Sequence, residues 1–286
     1  MNGLNLGERF IQWAARDDSI YSAIQIGSRV RGGHEPGAAD DYSDWDFQVI
    51  SSAPDSLERR QLYCDELGEP LAFAVRGGRL GTAKKVTALF AEGELDIVII
   101  PLVQFHEVRK QVGAGTHPGV PPIMKALEDL SSVLLGGYQI LKGTLEVDAL
   151  FHFVATEIPP PRLSDAAIRQ IGEGFICDYV STARKIARGE FLAAQRWIHH
   201  HLAETNFSLA HELRRRASLP SFPDARRVEM LFDEAARSAL EIRAIPNSDS
   251  LGAALQKSRE SCIALIHALV GDTWSWPSLP SSLSGE

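Results

Sequence analysis

Three consecutive prolines, Pro159-Pro160-Pro161, split this 286-residue chain into stretches of different character. No regular element runs through them, because each ring fixes its own φ and removes an amide donor. Before them, short β-rich runs alternate with turn clusters and a few helical stretches. After them, nearly every segment repeats its apolar residues at helical spacing. The pattern predicts an α+β protein: a mixed α/β domain over residues 1–157, then an α-helical bundle over 158–286. The length also suits two domains.

In the first part the pattern predicts a helix over 8–16, strands over Ser22–Ile26 and Trp45–Ile50, and a Gly- and Asp-rich loop between them at 29–43. A helix at 56–68 and a strand at Leu71–Val75 follow. Next come the strands Lys85–Phe90 and Leu95–Leu102, joined by the four residues Ala91-Glu92-Gly93-Glu94, a length typical of hairpins. A helix over 121–130 and a last strand within Ser132–Leu141 complete the domain. Beyond the prolines, helical segments are expected around 175–188, 191–202, 224–243 and 249–270. The Ser/Pro-rich tail TWSWPSLPSSLSGE is expected to be loose at its end.

Charge narrows the function classes. From Pro160 onward Lys+Arg and Asp+Glu balance at 15 each, so the whole net charge of −8 lies in the first part. A nucleic-acid binder more usually carries a basic stripe. An acidic half suits cations, either metals or a positively charged substrate, although solubility alone is an equal reading. No apolar run approaches the roughly 20 residues that a membrane span needs. The N-terminus reads as an amphipathic helix without a signal-peptide core. Cys64, Cys177 and Cys262 form neither metal-type pairs nor an even disulfide set, and a reducing cytoplasm is the expected setting.

Chemistry concentrates in "IGSR" (Ile26–Arg29) and "DYSDWDFQVI" (Asp41–Ile50). Strand alternation puts Asp44, Asp46 and Gln48 on one face and Trp45, Phe47 and Val49 on the other. Asp44 and Asp46, about 6.6 Å apart along a strand, can lean onto one hard cation. Asp96 interrupts the apolar run Leu95–Ile100, where a lone carboxylate is costly unless paired or metal-bound. If the two strands are neighbours, three carboxylates converge at one sheet edge. Gly27 allows close approach of a phosphate, Ser28 offers a hydroxyl and an amide, and Arg29 a charged fork. Each feature alone is common as turn chemistry or an ordinary salt bridge. Their order along the chain is far more specific.

That order resembles the nucleotidyltransferase fold of the DNA polymerase β superfamily. Within it, "GSRV", "DYSDWDFQVI" and "LDIVIIPL" are most similar to the aminoglycoside 6-adenylyltransferases, the streptomycin-modifying group. "YVSTARKIARGEFLAAQRWI" extends the likeness over most of residues 20–205. The resemblance implies a five-stranded mixed sheet in the N-terminal nucleotidyltransferase domain and a C-terminal bundle. It implies Mg²⁺ held by Asp44, Asp46 and Asp96, with Asp96 the general base or third ligand. Gly27 and Ser28 would grip the phosphates of ATP, and Lys185 would supply a further phosphate contact. The implied reaction is AMP transfer to a hydroxyl of a cationic aminoglycoside such as streptomycin. AMP transfer to a protein or another metabolite stays open, as does a non-catalytic, antitoxin-like nucleotide-binding module. Two departures bear on the acceptor: Lys142–Asp148 replaces an expected acidic and basic cluster, and Ile176–Tyr179 an expected aromatic pair.

Other stretches read as structural. His199-His200-His201 point about 100° apart on a helix and cannot share one ion. Gly77–Lys84 lacks the Gly-Lys-Ser/Thr ending of a phosphate loop. Arg214-Arg215-Arg216 reads as a solvated helix face, Glu173 and Asp178 as surface, and Trp197 as core.

Overall fold

The structure is a computed structural model that describes residues 4–78 and 82–279. The chain forms two compact units, Met1–Pro161 and Arg162–Glu286. No described helix is long and apolar enough to cross a membrane.

The first unit begins with α1 (Leu6–Arg16), started by a reciprocal cap in which Asn5 and Glu8 each accept the other's backbone amide at 2.9 Å. β1 (Ile20–Ile26) and β2 (Trp45–Ser51) flank a loop, and α2 (Arg60–Leu67) leads into β3 (Ala72–Gly77), β4 (Lys84–Phe90) and β5 (Gly93–Pro101). Then follow α3 (Leu102–Gly113), α4 (Pro121–Leu134), β6 (Gln139–Lys142) and α5 (Leu145–Glu157). The sheet has six strands in the order β3-β4-β5-β2-β1-β6, one more than the five implied by the resemblance. All neighbours are antiparallel except β2 and β5, which are parallel.

Alternation along β2 and β5 sorts their side chains between two cores. Phe47, Val49, Leu95, Ile97 and Ile99 pack with Phe10 and Trp13 of α1 and Tyr63 of α2. Ile50 and Ile100 face the other way, with Phe105 of α3, Leu127 of α4 and Phe151 of α5. A strand pair covered on both faces reads as a nearly continuous apolar run. Asp46 and Asp96 interrupt that run at one end of the second face.

Several boundaries differ from expectation. The hairpin between β4 and β5 closes over two residues, Ala91 and Glu92, because Phe90 already pairs with Gly93, whose φ is +148°. Glu94 is therefore a strand residue. Helices α3 and α5 were not foreseen. Phe105 and Phe151 lie within them, and the packing of their apolar faces on the sheet decides their helicity more than local propensity does. The last strand is confined to Gln139–Lys142, since α4 continues to Leu134.

The second unit opens with α6 (Asp165–Ala187), capped by Ser164, whose Oγ accepts the Ala167 amide at 3.1 Å. It starts ten residues earlier than the sequence suggested. α7 (Phe191–Trp197) passes through a wide turn, Ile198–Leu202, into α8 (Ala203–Arg216). The helix expected over 224–243 is broken into α9 (Val228–Leu231) and α10 (Glu234–Leu240). Asp233 restarts the chain there by accepting the Ala236 amide at 2.8 Å, while Asp224, Ala225 and Arg227 have positive φ. α11 (Ser248–Val270) closes the bundle. Ile168, Phe175, Tyr179, Leu251, Cys262 and Ile266 form the core, and burial pushes the Cys262 thiol up to about 12. The start of the tail is packed: Trp274 and Trp276 join this core, and the Trp274 indole donates to Glu173 at 3.1 Å. Residues 280–286 lie outside the described residues.

Candidate active site

The site is built at the ends of β1, β2 and β5. In the parallel pair, Asp46 stands directly opposite Asp96, so both project from one face of the sheet. One carboxylate oxygen each from Asp44, Glu94 and Asp96 lies within 4.8 Å of the others. Glu94 belongs because it sits two residues before Asp96 on the same strand. The sequence reading had placed it in the turn. Alternation would have found it, had the hairpin been closed at two residues.

Asp46 meets the Gly-Ser turn. A Cβ built on Gly27 would stand 2.2 Å from Asp46 Oδ2, and Gly27 has φ +82°. Only glycine lets the backbone lie that close to the carboxylate in that conformation. Ser28 follows in a tight turn, Gly27–Val30, and is 6% exposed with its Oγ lacking any hydrogen-bond partner. Gln48, one step further along the Asp46 face, is also buried with an unpartnered Oε1. Of the eight orphaned buried side-chain atoms among the described residues, these two border the carboxylates along the chain.

Arg29 has a visible structural task. Its Nε donates to the Asp44 carbonyl at 2.9 Å, its Nη2 to the Ser43 carbonyl at 2.5 Å, and its guanidinium lies 4.0 Å from the Trp45 ring centroid. It therefore clamps the segment carrying Asp44. Asp40 reinforces that loop by accepting from the Tyr42 amide and the Ser43 hydroxyl, each at 3.0 Å.

Two further residues escaped the sequence reading. Asp96, 6% exposed, accepts from Thr87 Oγ1 at 2.6 Å on one oxygen and forms an ion pair with Lys85 on the other. Both donors come from β4, where Thr87 is the register partner of Asp96. Glu94 has no hydrogen bond or ion pair among the described residues, although the charges of Lys85 and Arg76 favour its carboxylate. Burial first, then the charges of Asp96 and Asp44, raise its carboxyl above the usual range.

The donors are all oxygens, and the carboxylates cluster beside a glycine turn with a free buried hydroxyl. That set fits a hard divalent cation such as Mg²⁺ better than a thiolate- or imidazole-seeking metal.

Lys185 lies in the second unit, its Nζ 4.2 Å from the centroid of the Trp197 ring. Trp197 is thus half-buried as a cation–π partner, not a core residue. Arg216 overturns the solvated-face expectation: it donates to the carbonyls of Leu163 at 2.7 Å and Leu269 at 3.0 Å, and pairs with Asp165 and buried Glu212. His200 pairs with Glu204 at 3.4 Å and its ring lies 5.0 Å from that of His201, with no grouping of the three histidines around one ion among the described residues. In the set-aside stretch Gly77–Lys84, residues 79–81 lie outside those described.

No protein-family model matches the chain, and no curated protein does. Among solved structures it is similar to a nucleotidyltransferase-like protein from Exiguobacterium sibiricum 255-15, at 10% identity and a TM-score of 0.37. That match covers 91% of this chain and 73% of the other. A likeness of this size carries no inference about chemistry.

Proposed function

We propose that the chain is a Mg²⁺-dependent nucleotidyltransferase that moves AMP from ATP to a hydroxyl of a small cationic acceptor, an aminoglycoside such as streptomycin being the favoured class. The observation that carries this reading is the register of Asp46 against Asp96, with Gly27 lying against the Asp46 carboxylate. The superfamily motifs quoted from the sequence support it independently.

Asp44, Asp46 and Asp96 would hold the ion, which supplies charge stabilisation to the attacking and leaving oxygens. Ser28 donates its hydroxyl and amide to phosphate oxygens, and Gly27 lets them reach the backbone. Asp96 accepts the acceptor's hydroxyl proton as that oxygen bonds to the α-phosphorus and the bond to pyrophosphate breaks. Half-buried Asp44 and Asp46 and buried Asp96 would attract a cationic acceptor by the same field that attracts the ion.

The test is incubation with α-labelled ATP, Mg²⁺ and a panel of acceptors. Labelled streptomycin or another aminoglycoside supports the proposal. Labelled protein redirects the acceptor, and ATP binding without pyrophosphate release sinks the transferase reading. Asp46→Asn should abolish pyrophosphate release with an unchanged circular dichroism spectrum; wild-type turnover in that variant would remove the ion from Asp46.

A further inference from the structure

Of Asp44, Glu94 and Asp96, only Asp96 has a side-chain partner among the described residues. Its two donors differ in kind. Thr87 is fixed: it stands directly across the ladder and its short side chain has no other reach. Lys85 is not. Its register partner is Val98, so it reaches Asp96 diagonally along the face, and its side chain is 39% exposed against 7% for Asp96. An ammonium on a flexible stem binds as a point charge and can leave without breaking a fork of parallel bonds. Lys85 therefore sits where a divalent ion would have to bind Asp96 Oδ2. Beside it lies Glu94, a carboxylate without an ion pair or hydrogen bond among the described residues, on which the charge of Lys85 already acts.

Resting on the proposed function above, we propose that Lys85 is a positioning residue that acts through Asp96. Its ammonium neutralises and aims Asp96 in the ion-free chain, then moves to Glu94 when a divalent ion takes Asp96 Oδ2. Three carboxylates within 4.8 Å repel one another, and Lys85 offsets that repulsion until the ion arrives. A permanently held cation would block the third ligand, whereas an exchangeable one keeps it oriented. Glu94 gives the displaced charge a nearby resting place, which is a reason for its presence in the cluster.

The test uses the full-length chain without nucleotide, with Mn²⁺ as the probe, read by electron paramagnetic resonance of free Mn²⁺ and by thermal melting. Lys85→Met removes the competitor and should bind Mn²⁺ about tenfold tighter than wild type. It should melt lower than wild type without ion and recover on adding Mn²⁺. Lys85→Arg, which keeps the cation, should bind Mn²⁺ no tighter than wild type. Glu94→Gln should weaken Mn²⁺ binding, and weaken it less once Lys85 is already methionine. Lys85→Gln reads the same quantities should the methionine variant not fold. Unchanged or weaker Mn²⁺ binding in the neutral Lys85 variants overturns the proposal. If wild type binds Mn²⁺ and Asp44→Asn abolishes it, that failure belongs to Lys85 alone. If wild type binds no Mn²⁺, the metal reading and the Lys85 exchange fall together.

Discussion

Gly27 carries a constraint that can be isolated. An added methyl would meet Asp46 Oδ2 at 2.2 Å, and the backbone at φ +82° disfavours any side chain. The conformational cost of an alanine there is about 1–2 kcal/mol, and Asp46 must shift besides, so Gly27→Ala should lower the melting temperature by several degrees. Its effect on chemistry should be far larger, because displacing a reacting group by about 1 Å costs on the order of a hundredfold. Pyrophosphate release in this variant within threefold of wild type would mean that the 27–28 backbone lies away from the reacting phosphates. The residue types at this turn were readable from the sequence. Ser28 being buried without a partner was not, since burial is a property of what surrounds it.

At the scale of elements, packing overrode local signals in several places. Arg216 near the end of α8 looked solvated by composition. It instead ties α8 to the start of α6 through Leu163 and Asp165 and to the end of α11 through Leu269. It also partners Glu212, which is 2% exposed. Arg216→Ala leaves Glu212 only its 3.8 Å pairing with Arg215 and removes both carbonyl bonds, and should cost about 2 kcal/mol, less than breaking a buried pair outright. Urea midpoints of the helical unit check this, and a loss below about 0.5 kcal/mol would return Arg216 to the class of surface charges. The β4–β5 hairpin teaches the same lesson on a smaller scale. Moving the turn by two residues turns Glu94 from a loop residue into part of the carboxylate cluster, because strand faces alternate with each residue.

Across the whole molecule, each unit has its own core. The clusters around Phe10 and around Phe151 belong to residues before Pro161, and the cluster around Phe175 to residues after it. Truncating a buried phenylalanine costs about 3–5 kcal/mol. Phe10→Ala should therefore lower hydrogen-exchange protection in β1, β2 and β5 while leaving α6 and α11 near wild type, and Phe175→Ala should do the reverse. Equal loss in both units from either variant would mean that they unfold as one. The sequence by itself determined the α+β class and supplied the proline run, the glycine turn and the three aspartates, because the class depends on local periodicity and the turn on the dihedral limits of single residues. Only the tertiary structure decided that Asp46 faces Asp96, that Glu94 gathers with Asp44 and Asp96, and that Lys85 and Thr87 hold Asp96. The Asp46–Asp96 relation arises from a parallel pairing of β2 with β5 that spans some fifty residues of chain, whose register no local rule of sequence fixes, whereas the relations of Glu94, Lys85 and Thr87 follow from where the β4–β5 hairpin closes.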